Sequence, residues 1–165
     1  MDIIRWPNAT LNKASVEVTQ FDDELAKLID DMAAVMYANN GLGLAAVQVG
    51  VLQNVVVIDT TPSGGVLNNE FVNPVIIQSN GRQMYKEGCL SFPGVYINMP
   101  RYETVSVVAK DRDGKGFTVT AHGVDAVCLQ HEIDHIAGIT FYDKLSPVKR
   151  SMYKNKFNKL KKRKR

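Results

Sequence analysis

The residues best equipped for chemistry lie in one short segment, His131-Glu132-Ile133-Asp134-His135. Side chains four positions apart share one face of a helix, so His131 and His135 could bind one divalent metal ion together. Glu132, one position on, suits a carboxylate that takes a proton from a water beside the metal and returns it. The pattern at 123–137 is apolar almost all round, which predicts a buried helix. Two buried imidazoles and two acids need partners there, and a metal ion is the simplest one.

A third metal ligand must come from elsewhere in the chain. The common metalloproteases take a Glu further along, but no Glu follows Glu132. A second protease pattern requires a His where this chain has Phe141. Cys89, His122 and Cys128 remain as candidates. Cys89 is favoured, because it follows a glycine near the end of a predicted strand, from which a thiolate can reach a helix on the sheet.

A third segment of interest is small, apolar and rich in glycine. It reads GLGLAAVQ at 41–48 and ends on Gln48. Small residues allow another backbone to approach closely. Gln48 would place one neutral amide donor beside this tight loop.

These segments together resemble the peptide deformylase family. That family carries Gly-x-Gly-x-Ala-Ala-x-Gln, Glu-Gly-Cys-x-Ser and Gln-His-Glu-x-Asp-His, in that order. The chain has GLGLAAVQ at 41–48, EGCLS at 87–91 and QHEIDH at 130–135. Three motifs in the right order are far more specific than any one of them. The resemblance covers residues 1–148 and is looser beyond, and Val47 stands where the family usually has Pro.

The resemblance implies a metal site with an open position. Cys89, His131 and His135 would hold one divalent ion, typically Fe²⁺, and Zn²⁺, Ni²⁺ or Co²⁺ could occupy the same ligands. The alternative is a closed Cys₂His₂ site, with Cys128 as the fourth ligand. Such a site would be structural zinc in a nucleic-acid-binding protein.

The implied reaction is removal of the N-formyl group from the formyl-methionine of newly synthesised proteins, with release of formate. Glu132 would take the water proton and deliver it to the departing amine. The Gln48 amide and the backbone N–H of Leu90 would hold the oxyanion. A metallopeptidase with the same water chemistry is a second alternative.

The resemblance also implies a substrate groove. The peptide is expected to add as a strand between Gly43–Leu44 on one side and Gly94–Tyr96 on the other. Glu87 and Asp134 would orient the metal ligands or form ion pairs, for example with Arg101. An apolar pocket for the methionine would be lined by Leu42, Val124 and Val127, with Tyr96 at its rim.

Hydrophobic periodicity predicts the elements that must position these residues. Apolar residues recur every three or four positions over 21–38, which predicts a helix, and Pro147 opens a last helix. This mixture predicts an α+β fold, with antiparallel or mixed sheets packed around the buried metal-binding helix and a C-terminal helix. Residues 1–148 are expected to form the catalytic domain, and 149–165 a basic helix or tail of the same domain. Strands are predicted at 54–59, 70–78, 83–88, 103–110 and 116–121.

Charge is distributed unevenly along the chain. The 165 residues include 20 Lys and Arg and 17 Asp and Glu. Ten of the basic residues and no acid lie at 149–165, so residues 1–148 carry a net charge of −7. The tail could dock on ribosomal RNA, as in similar deformylases with a basic C-terminal helix, and the alternative is a solvated, frayed end. Its predicted helix carries a narrow apolar stripe formed by Met152, Tyr153, Phe157 and Leu160.

The composition also excludes several classes of protein. The chain has no run of about 18 apolar residues, which excludes a membrane span. Its start lacks the basic head and apolar core of a signal peptide. The two cysteines form no Cys-x-x-Cys pair, so a secreted disulfide framework is not indicated. A monomeric, cytoplasmic protein without membrane contact is therefore expected.

Overall fold

Two β-sheets and three α-helices form the fold, which a computed structural model describes for residues 1–163. The helices are α1 Asp23–Ala38, α2 Gly123–Ile136 and α3 Pro147–Arg163. The strands are β1 Gly43–Ala45, β2 Val55–Asp59, β3 Asn68–Asn80, β4 Gln83–Gly88, β5 Tyr96–Arg101, β6 Thr104–Lys110 and β7 Gly116–His122. Five strands form an antiparallel sheet in the order β1-β2-β3-β6-β7, and β4 pairs with β5 in a separate hairpin. The predicted α+β class is confirmed.

Helix α1 packs on one face of the larger sheet. The Asp22 carboxylate caps the helix by accepting a hydrogen bond from the backbone N–H of Leu25 at 3.0 Å. Asp23 and Glu24 occupy the first turn, where the helix dipole favours acids. The helix begins at Asp23, two residues after the predicted start, because Asp22 is the cap. Its buried face packs in a cluster with the sheet that includes Met32, Met36, Leu44, Val57 and Val72.

Helix α2 packs on the opposite face of the same sheet. It lies over a second cluster that includes Val56, Ile58, Phe71, Val107 and its own Leu129. The helix ends in a left-handed turn at Gly138, whose φ is 76°. The backbone N–H groups of Gly138 and Ile139 donate to the carbonyls of His135 and Asp134, both at 3.0 Å. This turn fixes the end of the helix that carries the His131-Glu132-Ile133-Asp134-His135 segment, an HExxH pattern.

Strands β1 and β5 were not predicted from the sequence. Strand β1 lies in the glycine-rich segment, and its residues pair with β2 from Gly43↔Ile58 to Ala45↔Val56. Strand β5 contains Asn98 and Pro100, which weaken the sequence signal for a strand. Its residues nevertheless alternate between exposed and buried positions. Both strands matter for function, because the β1 edge and the β4–β5 hairpin flank α2 and its histidines.

Helix α3 packs on the body through Phe157, and Tyr153 and Leu160 pack against the same cluster. Phe157 is buried, and its ring lies edge-on to Trp6 at 5.1 Å between ring centroids. The predicted apolar stripe is wrong for Met152, which is 63% exposed on the other side of the helix. The last two residues of the predicted basic tail, Lys164 and Arg165, lie outside the described part of the chain.

Candidate active site

Three potential metal ligands meet between helix α2 and the end of strand β4. His131 and His135 lie on one face of α2, with their Nε2 atoms 3.2 Å apart. Cys89 follows the last residue of β4, and its Sγ lies 3.5 Å from Nε2 of His135. One donor atom from each residue lies within 4.8 Å of the other two, a grouping that no other three His, Cys, Asp or Glu residues of the described chain match. Both histidines are buried and Cys89 is half-buried.

This donor set fits a divalent metal ion. The Nδ1 atom of His131 donates to Glu87 Oε1 at 2.8 Å, which leaves the Nε2 lone pair facing His135 and Cys89. Nε2 of both histidines and the Cys89 sulfur therefore converge on one point, where a cation, either a proton or a metal ion, stabilises them. Nitrogen and sulfur ligands suit Fe²⁺, Zn²⁺, Ni²⁺ and Co²⁺.

The two histidines have opposite electrostatic surroundings. Burial lowers the pKa of His135 well below its usual value, so its imidazole is neutral and ready to act as a ligand. Burial acts in the same direction on His131, but neighbouring Cys89 and Glu87 outweigh it and hold the pKa of His131 above its usual value. A metal ion must therefore displace a proton from His131, so metal affinity falls as the pH falls.

A buried ion-pair network supports these ligands. The Arg101 guanidinium, 2% exposed, donates to both carboxylate oxygens of Glu87 and to Asp134 Oδ2 at 2.7 Å. Burial raises the pKa of Glu87, but hydrogen bonds from Arg101 and His131 more than offset this and hold it below its usual value. Glu87 is therefore an anion that can accept from His131 and fix the orientation of that ring. Asp134 also pairs with Lys144 at 3.0 Å.

Glu132 is a buried acid that borders a cavity next to His131. Its carboxylate is 5% exposed, and its Oε1 atom has no hydrogen-bond partner among the described residues. Burial raises the pKa of Glu132 to about 7, a value suited to a group that both takes and gives a proton at neutral pH. Gly43 of β1 passes directly over this carboxylate, since a Cβ at Gly43 would lie 2.5 Å from Oε2. The glycine is needed for that close approach.

Gln48 is held rigidly at the other side of the Cys89 sulfur. It lies in a short helical turn, Ala46–Val49, and is 1% exposed. Its Oε1 accepts from the backbone N–H of Ala45 at 2.9 Å, which turns the amide nitrogen toward the site. Nε2 donates to Ser91 Oγ at 3.1 Å and approaches Cys89 Sγ at 3.6 Å. The EGCLS segment contains Ser91, but no sequence pattern indicates that its side chain anchors Gln48.

Gln48, Cys89, His131 and Glu132 border a cavity of about 610 Å³. Leu44 and Val124, both predicted to contact substrate, are not among the residues that line it. The side chain of Leu44 packs against α1 instead, because neighbouring strand residues face opposite sides of a sheet. Val124 lies about two turns, or roughly 10 Å, before His131 along the helix. The predicted residues that do line the cavity are Leu42, Gly43, Gln48, Cys89, Leu90, Gly94, Tyr96, Val127, His131 and Glu132.

The two other candidate ligands lie outside the donor grouping. Cys128 is half-buried and borders the cavity, and burial raises the pKa of its thiol, which disfavours the thiolate. His122 is exposed at the end of β7, where its Nδ1 lies 3.0 Å from Thr104 Oγ1. Within the described residues, the closed Cys₂His₂ arrangement is therefore not formed.

A buried HExxH helix that meets a cysteine from a flanking hairpin defines an α+β protein with a metal-binding cleft. The polypeptide deformylase family model matches residues 1–151, so the chain belongs to that family. A peptide deformylase 1 of Burkholderia multivorans is 44% identical over 161 residues, which are 97% of this chain and 88% of that protein. A peptide deformylase of Neisseria meningitidis serogroup B is 42% identical over 96% of this chain and 95% of its own length.

Solved structures agree with this assignment. A crystal structure of a peptide deformylase from Legionella pneumophila superposes with a TM-score of 0.92 at 44% identity. The alignment covers 99% of this chain and 96% of that one. The chain is therefore an enzyme, a hydrolase that removes the N-formyl group from nascent peptides. The family is metal-dependent, and the Cys89, His131 and His135 grouping is a possible metal site.

Among the helices within residues 1–163, none is long and apolar enough to cross a membrane.

Proposed function

We propose that Cys89, His131 and His135 hold one divalent metal ion, and that Glu132 and Gln48 perform the deformylation chemistry beside it. The observation that carries this proposal is the convergence of the three donor atoms within 4.8 Å, next to a buried carboxylate oxygen without a partner. When bound, the metal would supply a Lewis acid that activates water and polarises the formyl carbonyl. Fe²⁺ is the proposed ion, and Zn²⁺, Ni²⁺ or Co²⁺ would fit the same donors.

Glu132 would move the proton. Its carboxylate would take a proton from the attacking water and deliver it to the nitrogen of the departing methionyl amine. A pKa of about 7 allows both transfers near neutral pH. Since the carboxylate is 5% exposed, few bulk waters compete with the reacting one.

Gln48 and Leu90 would stabilise the oxyanion. The Gln48 amide is anchored through Ala45 and Ser91, and its long contact with the Cys89 sulfur is the one that a substrate oxygen would replace. No described residue accepts a hydrogen bond from the backbone N–H of Leu90, so this donor is available to substrate. Each preorganised donor of this kind contributes about 3 kcal/mol to transition-state stabilisation.

The methionine side chain would enter the cavity against Leu42 and Val127. The peptide would then run as a strand between the edge of β1 at Gly43 and the Gly94–Tyr96 segment. Both segments border the cavity, and their backbones could supply the hydrogen bonds of an added strand. Leu44 would take part through its backbone alone. Val124 would support the helix and not contact the methionine.

The basic C-terminal segment would have a role apart from the chemistry. Residues 1–148 would form the catalytic domain, and 149–165 a basic extension of it that docks on ribosomal RNA in the cytoplasm. The excess of cations in that segment supports this proposal. The enzyme would act as a monomer, since the whole donor grouping comes from one chain.

The two cysteines offer a matched test of the metal site. Cys89→Ser and Cys128→Ser change the same atom, at positions that both border the cavity. The protein is purified without oxygen, and its metal content and formate release from formyl-Met-Ala-Ser are measured. Cys89→Ser should lose both metal and activity, whereas Cys128→Ser should keep its metal. Full metal content in Cys89→Ser, or loss of metal in Cys128→Ser, would contradict the assignment. Release of amino acids from unformylated Met-Ala-Ser would indicate a peptidase.

A further inference from the structure

The mouth of the substrate cavity carries positive charge, although residues 1–148 are acidic overall, with a net charge of −7. The Asp, Glu, Lys and Arg residues that line the cavity are Arg5, Lys86, Glu87 and Glu132. Both acids are buried, whereas both cations are exposed to solvent. Among the residues that line the cavity, the charge exposed to an approaching peptide is therefore that of Arg5 and Lys86.

The buried acids do not offset these cations. Glu87 is neutralised by Arg101, which contacts both of its oxygens. Glu132 lies at the base of the cavity beneath Gly43, and its carboxylate is 5% exposed. Neither Arg5 nor Lys86 has an acidic group of the described chain within 4 Å. Neither charge is therefore neutralised by an ion pair of the described residues, and both are available to a ligand.

The position of Lys86 places one of these charges beside the peptide path. Lys86 Nζ lies 5.9 Å from the centre of the Tyr96 ring, which is 55% exposed at the rim. Tyr96 pairs with Gly88 across the β4–β5 hairpin, so Lys86 and Tyr96 lie at the same end of the two strands. Arg5 borders the cavity together with Asn39 and Asn40, which are uncharged.

We propose that Arg5 and Lys86 make this deformylase select nascent peptides with acidic side chains directly after the formyl-methionine. The inference rests on the proposed function, since it assumes that the methionine enters the cavity and that the peptide leaves past Tyr96. Exposed charge pairs contribute little individually, so a substrate preference of about tenfold between acidic and basic peptides is expected at low ionic strength. The preference resides in kcat/KM and weakens as salt is added.

Three peptides with blocked C-termini test the preference. They are formyl-Met-Glu-Glu-Ser-amide, formyl-Met-Gln-Gln-Ser-amide and formyl-Met-Lys-Lys-Ser-amide, and the amide removes the terminal carboxylate as a competing anion. The metal-loaded enzyme should release formate from them with kcat/KM falling in that order. Between about 0.02 and 0.5 M NaCl, the ratio of the first to the last should shrink toward one. An equal kcat/KM for all three, or a ratio that salt does not change, would overturn the proposal.

Variants assign the preference to the two cations. Lys86→Met and Arg5→Met should each reduce the acidic-to-basic ratio about threefold, and the double variant should abolish it. Lys115→Met removes an exposed cation that does not border the cavity, and it should leave the ratio unchanged. An equal reduction in Lys115→Met would mean that overall charge is responsible, which also overturns the proposal. Failure of the glutamine peptide to release any formate would instead contradict the proposed function, so the two failures are distinguishable.

Discussion

Glu132 combines two properties that are costly together: it is ionisable, and it is deeply buried with no hydrogen-bond partner for Oε1 among the described residues. An unpaired polar atom in that position destabilises the fold, and this cost is the physical reason to expect a functional task for Glu132. Replacement by glutamine keeps the shape and removes proton transfer. Replacement by aspartate keeps the acid and withdraws it by about one carbon–carbon bond.

We expect Glu132→Gln to lower kcat for formate release by at least about 100-fold, because a general acid–base group contributes that much or more. Its metal content should stay at the wild-type level, since Glu132 is outside the donor grouping. Single-turnover formate release and metal analysis on the same sample check this. A variant that retained more than a tenth of wild-type kcat would show that Glu132 does not carry the proton.

Glu87 contacts His131 on one side and Arg101 on the other. Glu87→Gln weakens the acceptor that orients His131, so the dissociation constant for the metal should rise about 10- to 100-fold. Competition with a chelator measures this constant. Glu103→Gln, at an exposed site, is the control and should leave it unchanged. Unaltered metal affinity in Glu87→Gln would show that Glu87 pairs with Arg101 but does not contribute to metal binding through His131.

At the scale of residues, the sequence predicts those parts of the site whose geometry is set within one element. The spacing of His131 and His135 within one helix fixes their common face whatever surrounds them. The Arg101 network was only one of several options, because Glu87, Arg101 and Asp134 come from three elements whose approach no local pattern encodes. The proximity of Cys89 to the histidines was predicted from its place near a strand end and from the family resemblance, since no local spacing links it to helix α2.

At the scale of elements, the end of α2 decides where its histidines lie. Gly138 has a φ of 76°, and a Cβ there would lie 2.7 Å from the carbonyl oxygen of Asn12. Gly138→Ala therefore combines an unfavourable backbone conformation with a clash against backbone. Gly64 is a matched control, since its φ is 84° and a Cβ there meets nothing within 4 Å.

We expect Gly64→Ala to cost about 1 kcal/mol in the free energy of unfolding, and Gly138→Ala at least about 1 kcal/mol more. By calorimetry the second variant should melt at least about 2–4 °C below the first. Equal melting temperatures would mean that the backbone at Asn12 moves away from the new methyl group without a measurable loss in the free energy of unfolding.

Helices and strands with a strong hydrophobic periodicity were predictable from the sequence. A strand whose conformation depends on pairing with another strand was not. Helix α1 has both a cap at Asp22 and a regular apolar face, and its boundary was wrong by two residues. Strand β1 has three small or apolar residues and no alternation of its own. Its conformation comes from pairing with β2, a contact between segments that sequence periodicity does not contain.

At the scale of the whole molecule, the last helix belongs to the core and also carries an excess of positive charge. Phe157 packs against Trp6 and Phe92, so removal of the entire helix would expose an aromatic cluster. Truncation therefore confuses loss of charge with loss of packing. Substitution of the exposed lysines separates the two effects, because Lys154, Lys156 and Lys159 all face solvent.

The triple variant Lys154→Gln, Lys156→Gln, Lys159→Gln tests ribosome docking by the basic tail. If these side chains contact phosphates, co-sedimentation with ribosomes should weaken, and the slope of log affinity against log salt should become about 2–3 units shallower. Hydrolysis of formyl-Met-Ala-Ser should persist, because none of the three lysines lines the cavity. Phe157→Ala is the opposite control, since it should lower the melting temperature while it keeps every cation. Ribosome binding that is as tight and as salt-dependent in the triple variant as in the wild type would mean that the positive charge of this helix serves solubility and not docking.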